Sequence, residues 1–203
     1  MRTIRGMAQE LISTTFRDSA ALLDSIANDA GFVEAIEQVA NVCTTALRAG
    51  NKILFAGNGG SAADSQHLAA ELVGRFGYDR PGLPAIALTA DTSILTAVGN
   101  DYGFEKIFSR QIEALGNPGD VLFGFSTSGN SANVLAAFEA ARQKGITRVA
   151  LTGNRNGAIC AQSEHLFAVP SAVTARIQEA HIVIGHTICD LIEQALFPAG
   201  RAP

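Results

Sequence analysis

The chain has 203 residues, 47% of them hydrophobic, and a formal net charge of −4, which suits a medium-sized domain with a real core and excludes a disordered chain. With 15 basic against 19 acidic residues there is no electrostatic footprint for nucleic acid. No signal-peptide h-region and no uninterrupted membrane-length apolar run is read, so a cytoplasmic protein without membrane attachment is expected.

Residues 7–27 and 32–49 open the chain with apolar positions at helical spacing: Leu11, Phe16, Leu22, Leu23 and Ile26, then Val33, Ile36, Val39, Val42 and Leu47. They predict two amphipathic helices. Their apolar faces exceed what one flank of a sheet absorbs, which predicts a symmetric assembly burying the remainder. Five short apolar runs follow, "KILFAG" from Lys52, "PAIALT" from Pro84, "DVLFGFS" from Asp120, "RVALTG" from Arg148 and "HLFAVP" from His165. Each reads as a strand covered on both faces. Helical patterns lie between them, so the expected fold is a three-layer α/β/α sandwich around a five-stranded parallel sheet. The reading is one domain over 1–203, with a helical prefix at 1–50 and the α/β core at 51–203. Cys43, Cys160 and Cys189 are too scattered for a disulfide framework or a thiolate metal site and read as core thiols.

Two strands end in loops of glycine and hydroxyl residues, "AGNGGSAADS" from Ala56 and "FSTSGNSAN" from Phe125, each running into a helical pattern. Helix N-termini offer free N–H groups and a positive dipole end, and glycine lets a ligand approach the backbone. Neither loop has the lysine of a triphosphate-binding loop or the spacing of a dinucleotide fingerprint. They predict a cradle for a phosphate monoester that is held and not transferred, as in a sugar phosphate. In the next helical run, "SQHLAAELVGRF", His67 and Glu71 stand four apart on one face. Metal ligands, an acid/base couple and a solvated helix face all remain open for this pair. Its apolar neighbours suggest a largely buried helix and hence a partner for the carboxylate. The last helix, "ARIQEAHIVIGHTICDLIEQALF", supplies Gln178, Glu179, His181 and His186. Helix arithmetic favours Glu179, nearly eclipsed with His186, over Gln178, which lies about 80° around. His181 and His165 read as structural.

Taken together, "GNGGSAADSQHLAAELVGRF", "RPGLPAIALTAD", "VGNDYGFEKIFSRQIEALGNPGDVL", "STSGNSANV" and "RIQEAHIVIGHTICDLIE" resemble the phosphoheptose isomerases, members of the sugar isomerase (SIS) domain family, over nearly the whole chain. The resemblance implies that Ser126, Thr127, Ser128 and Ser131 hold the substrate phosphate with Ser61. It further implies that Asn58, Gly59 and Gly60 line the site and that Asn100 and Asp101 contact the sugar. It implies a zinc ion on His67, Glu71, Gln178 and His186, thus choosing Gln178 over Glu179. Glu71 and His186 become the acid/base pair, with Glu71 and Gln178 also touching substrate. The implied reaction converts sedoheptulose 7-phosphate to D-glycero-D-manno-heptose 7-phosphate through an enediol. The implied assembly is a homotetramer, and the product feeds the activated heptose of bacterial surface polysaccharides such as lipopolysaccharide. An alternative comes from a second SIS-fold relative, a non-catalytic protein that associates with the replication initiator. It shares the "GN" loop, "RIQE" and an ending like "CDLIEQALFP". Glu71 and His186 decide for catalysis.

Overall fold

A computed structural model describes residues 4–154 and 157–198. Two long helices come first, α1 (Ile4–Ala27) and α2 (Ala30–Arg48). Asp29 starts α2 by accepting the Phe32 N–H at 3.0 Å, satisfying one of the donors a helix N-terminus leaves open. The core then runs β1 (Ile53–Gly57), α3 (Gly60–Val73), β2 (Ala85–Ala87), α4 (Thr92–Tyr102), α5 (Ser109–Leu115), β3 (Val121–Phe125), α6 (Ala132–Gln143), β4 (Thr147–Thr152), β5 (His165–Ala168) and α7 (Thr174–Leu196).

All five strands are parallel, in the order β2-β1-β3-β4-β5, with Ile53 of β1 opposite Ala85 on one side and Val121 on the other. Alternation along the strands divides the core. Ile53, Phe55, Phe123, Phe125, Leu151 and Phe167 pack under α2, α3 and α7. Leu54, Ala56, Leu122 and Ala150 pack under α5 and α6. Both faces are therefore dry, as parallel sheets require, and the expected three-layer architecture is what the chain forms.

Cys43 and Cys189 are buried in the first of these cores, as expected, and burial pushes the Cys189 thiol up to about 12. Cys160 is only partly buried and packs against the second core. The first helix leaves most of its apolar face open within one chain. Of its residues only Ile26 is buried, while Leu11 and Phe16 are 69% and 73% exposed. Ile4, Met7 and Ile12 are open as well. Among the described residues of one chain, the apolar side chains in the first turns of α1 stay exposed.

From β1 the chain crosses over to β2 at one edge, whereas β3, β4 and β5 succeed one another toward the other. The crevice between the C-terminal ends of β1 and β3 is the switch point at which open parallel sheets take ligands. Both glycine and hydroxyl loops emerge there.

Candidate active site and metal centre

Gly59 precedes α3 with φ +57°, a left-handed conformation that side chains resist, and so turns the chain from strand to helix within two residues. Gly60 has a different reason. A Cβ there would lie 2.7 Å from the Gln178 amide, so the bare backbone lets α7 close on the start of α3. Asn58 and Asn133 exchange side-chain hydrogen bonds of 2.9 and 2.8 Å, tying the first loop to the start of α6 across the crevice. Beside them a cleft of about 190 Å³ is lined by Asn58, Gly59, Thr89, Leu95 and Phe104.

The second loop is held from within and from below. The Ser126 and Ser131 hydroxyls are 2.9 Å apart, the Ser131 N–H donates to Ser126 Oγ, and the Asn130 N–H donates to Ser128 Oγ. Gly129 accepts from the Ile159 N–H, and Thr127 accepts from that of Gly153. Ser126 is 2% exposed, whereas Thr127, Ser128 and Ser131 are half-buried and reach the surface. Ser131 stands at the N-cap of α6 without bonding its N–H groups through the side chain. First-turn donors beside several hydroxyls are the surroundings an oxyanion needs.

Under this loop His181 is fully buried and lies 3.3 Å from the Thr152 carbonyl through Nε2. Burial drives its pKa down to about 4 despite that bond, so the ring is neutral and structural at physiological pH. His165 lies half-buried on β5.

The titratable cluster forms where α3 crosses α7. His67 Nε2 is 2.8 Å from His186 Nε2 and 3.1 Å from Glu71 Oε1. The His186 pKa is lowered, chiefly by burial and by the neighbouring His67 charge, with Glu71 pulling the other way. A neutral imidazole with a free lone pair is the form that ligates metal or takes a proton. One ligand atom from each of His67, Glu71 and His186 falls within 4.8 Å of the others. Two ring nitrogens and a carboxylate oxygen are an ordinary donor set for catalytic zinc, so the trio fits the ion. Glu71 is 23% exposed in its side chain and His67 49%, more open than the apolar sequence around them suggests.

Gln178 sits in the first part of the same helix as His186. Its Nε2 faces the Ser61 hydroxyl at 3.4 Å, at the start of α3. Eight residues separate it from His186, about 12 Å of rise along the helix. Glu179, the choice of helix arithmetic, accepts from Ser19 at 2.8 Å and pairs with Arg176, and so faces α1. Asn100 and Asp101 end α4, bonded to each other at 2.7 Å and exposed, shortly before the cleft residue Phe104.

Sequence reading missed several groups here. Asp64, one turn before His67, has a buried Oδ2 without a hydrogen-bond partner among the described residues, and burial lifts its pKa to about 6. Its place three residues ahead of His67 on one helix face was the available signal. Phe76, whose ring centroid lies 5.6 Å from that of His186, and the Arg80–Glu193 pair beyond it carried no local signal.

A family model described as the SIS domain matches residues 16–153. The phosphoheptose isomerase of Akkermansia muciniphila is 57% identical over 180 residues, covering 89% of this chain and 92% of that protein. That of Burkholderia pseudomallei is 53% identical over 186 residues, covering 92% and 94%. The solved structure of the Neisseria gonorrhoeae phosphoheptose isomerase superimposes with a TM-score of 0.86 at 46% identity, covering 92% of this chain and 99% of that one. A chain that shares the fold of these enzymes over nearly its full length, at about half their residues, belongs to the phosphoheptose isomerase family of SIS-domain proteins.

Proposed function

We propose that this isomerase converts sedoheptulose 7-phosphate to D-glycero-D-manno-heptose 7-phosphate, and that the convergence of Glu71 and His186 on one point is the observation that carries the chemistry. A ketose becomes an aldose by moving one proton from C1 to C2. Glu71 takes the C1 proton, and His186, neutral and able to donate from its ring, protonates the C2 oxygen to give the enediol. Glu71 then returns its proton to C2 while the C1 hydroxyl gives its own back to His186, leaving the aldehyde and both residues in their starting forms. The second loop, with Ser61, holds the phosphate, and Asn58 to Gly60, Asn100, Asp101 and Gln178 line the sugar. The replication-linked reading requires no such cluster, and the relatives above carry the isomerase's name.

His67, Glu71 and His186 would hold zinc, which when bound polarises the sugar oxygens as a Lewis acid. Gln178 is kept as the fourth ligand and as a substrate contact, and its Nε2 faces the Ser61 hydroxyl at 3.4 Å. His67→Ala should lose zinc in elemental analysis while keeping its circular dichroism, because the sheet core does not depend on this exposed ring. Parent protein without stoichiometric metal, fully active in strong chelator, would contradict the zinc assignment.

Ser126→Ala with Ser128→Ala should raise KM by about 100-fold or more and change kcat less, since each hydroxyl gives up a hydrogen bond to a charged group. An unchanged KM removes the phosphate role from this loop.

A homotetramer is the proposed assembly, supported by the open apolar row Ile4, Met7, Leu11, Ile12 and Phe16 of α1. No helix among the described residues is long and apolar enough to cross a membrane. The reading places the enzyme in the cytoplasm, making heptose for surface polysaccharide. Incubation with substrate in heavy water tests the enediol directly: deuterium should enter the product at C2, and conversion without exchange would favour hydride transfer.

A further inference from the structure

Glu193 lies on α7 two turns beyond His186 and is fully buried. Its carboxylate gathers the segment that follows α3. Oε2 accepts the Phe76 N–H at 2.9 Å, and Oε1 accepts those of Gly77 at 2.6 Å and Tyr78 at 3.3 Å. Arg80 Nε donates to Oε2 at 2.9 Å, with 2% of the arginine side chain exposed. The other end of the guanidinium closes α3. Nη2 donates to the Glu71 carbonyl at 2.8 Å, and Nη1 to those of Leu72 at 2.6 Å and Gly74 at 3.2 Å. The first two are among the carbonyls that a helix C-terminus leaves without intrahelical partners.

The consequence lies at the cluster. One end of this arrangement holds the backbone of Glu71, and the other fixes the backbone of Phe76, whose ring packs against His186 at 5.6 Å between centroids. We infer that Glu193 and Arg80, acting through Phe76, are positioning residues that set the His186 ring against Glu71. The two helices that bear the reacting groups are thereby locked together from behind, by a charge pair that reaches both. Burial alone would raise the Glu193 pKa, but the donated N–H bonds and Arg80 outweigh it and keep the carboxylate ionised. Small displacements of reacting groups are costly in rate, so such a lock acts on turnover more than on binding.

This inference rests on the isomerase reading for its kinetic arm and is independent of it in its spectroscopic arm. Phe76→Leu removes the ring without touching the ion pair, and Phe76→Tyr restores it. The leucine variant should fold, shift the His186 ring nitrogen resonances in the NMR spectrum, and lose about 10-fold or more in kcat at unchanged KM. The tyrosine variant should keep the parental resonances and kcat. Glu193→Gln should show the same split with a lower unfolding temperature, and if it does not fold, the Phe76 pair decides. A folded leucine variant with parental His186 resonances overturns the inference, as does a parental kcat. Should the parent itself fail to isomerise the heptulose phosphate, the functional reading falls while the ring resonances still decide the positioning role.

Discussion

Glu71→Gln should bind substrate and scarcely turn it over. The change keeps the size of the side chain and an oxygen able to accept from His67, now 3.1 Å away, but it removes the basic carboxylate. Loss of a general base lowers kcat by about 10²- to 10⁴-fold. Substrate should still raise the unfolding temperature, because ligand that binds only the folded state stabilises it whether or not it reacts. Deuterium wash-in should fall with kcat, since enediol formation is the step removed. Metal content measured on the same sample separates loss of the base from loss of the ion. If the variant exchanges at the parental rate, Glu71 is not the base, and His186 becomes the group to test.

The largest loss of stability is expected at the opposite end of the strands. Asp120 has no exposed side-chain surface and accepts four hydrogen bonds at the start of β3. Oδ1 takes the Lys52 N–H at 3.0 Å and Asn51 Nδ2 at 3.3 Å, while Oδ2 takes Lys52 Nζ at 2.6 Å and the Asn117 N–H at 2.8 Å. The carboxylate thus joins the entry to β1 with the entry to β3, two neighbouring interior strands. Asp120→Ala leaves those donors unpaired, with a cost of about 3 kcal/mol or more, which lowers the unfolding midpoint by roughly 10 °C for a chain of this size. The folded variant should keep its kcat, because the reacting groups lie on helices beyond the other end of these strands.

The same carboxylate predicts an acid limb. Burial pushes its pKa up, but the bonds from Lys52, Asn117 and Asn51 outweigh that and hold it below the ordinary carboxylate value. A depressed folded pKa gives stability that is present in full above the unfolded value, about pH 4, and is lost as pH falls through the folded one. The alanine variant should therefore show a flatter stability profile below about pH 4. A parental midpoint, or an undiminished acid slope, contradicts the role given to Asp120.

All five strands were legible as nearly continuous apolar runs, from "KILFAG" to "HLFAVP", because β1, β3 and most of β4 are buried on both faces, while the edge strands β2 and β5 keep that apolar content though only partly buried. The two crevice loops announced themselves by glycine and hydroxyl content at strand ends. His67 and Glu71 were readable as a pair because helical spacing of four is local. Their meeting with His186 across 119 residues is tertiary, and it came from resemblance. Angle without rise misjudged the start of α7: Glu179 is eclipsed with His186 in projection, yet it lies two turns away and bonds Ser19 of α1. The exposed row on α1 shows the opposite limit, since apolar spacing reports that a face will be covered and not by what. Arg80 and Glu193, 113 residues apart, look like ordinary surface charges in sequence and become a buried pair only when α3 and α7 pack.

The central claim is that this chain is a catalyst for aldose–ketose isomerisation of a seven-carbon sugar phosphate. Pure, zinc-loaded protein incubated with sedoheptulose 7-phosphate and followed by NMR tests it most directly. The account predicts disappearance of the ketose and growth of an aldose heptose 7-phosphate at a rate proportional to enzyme, abolished in Glu71→Gln. A correctly assembled, metal-replete protein that leaves the heptulose phosphate unchanged would contradict it.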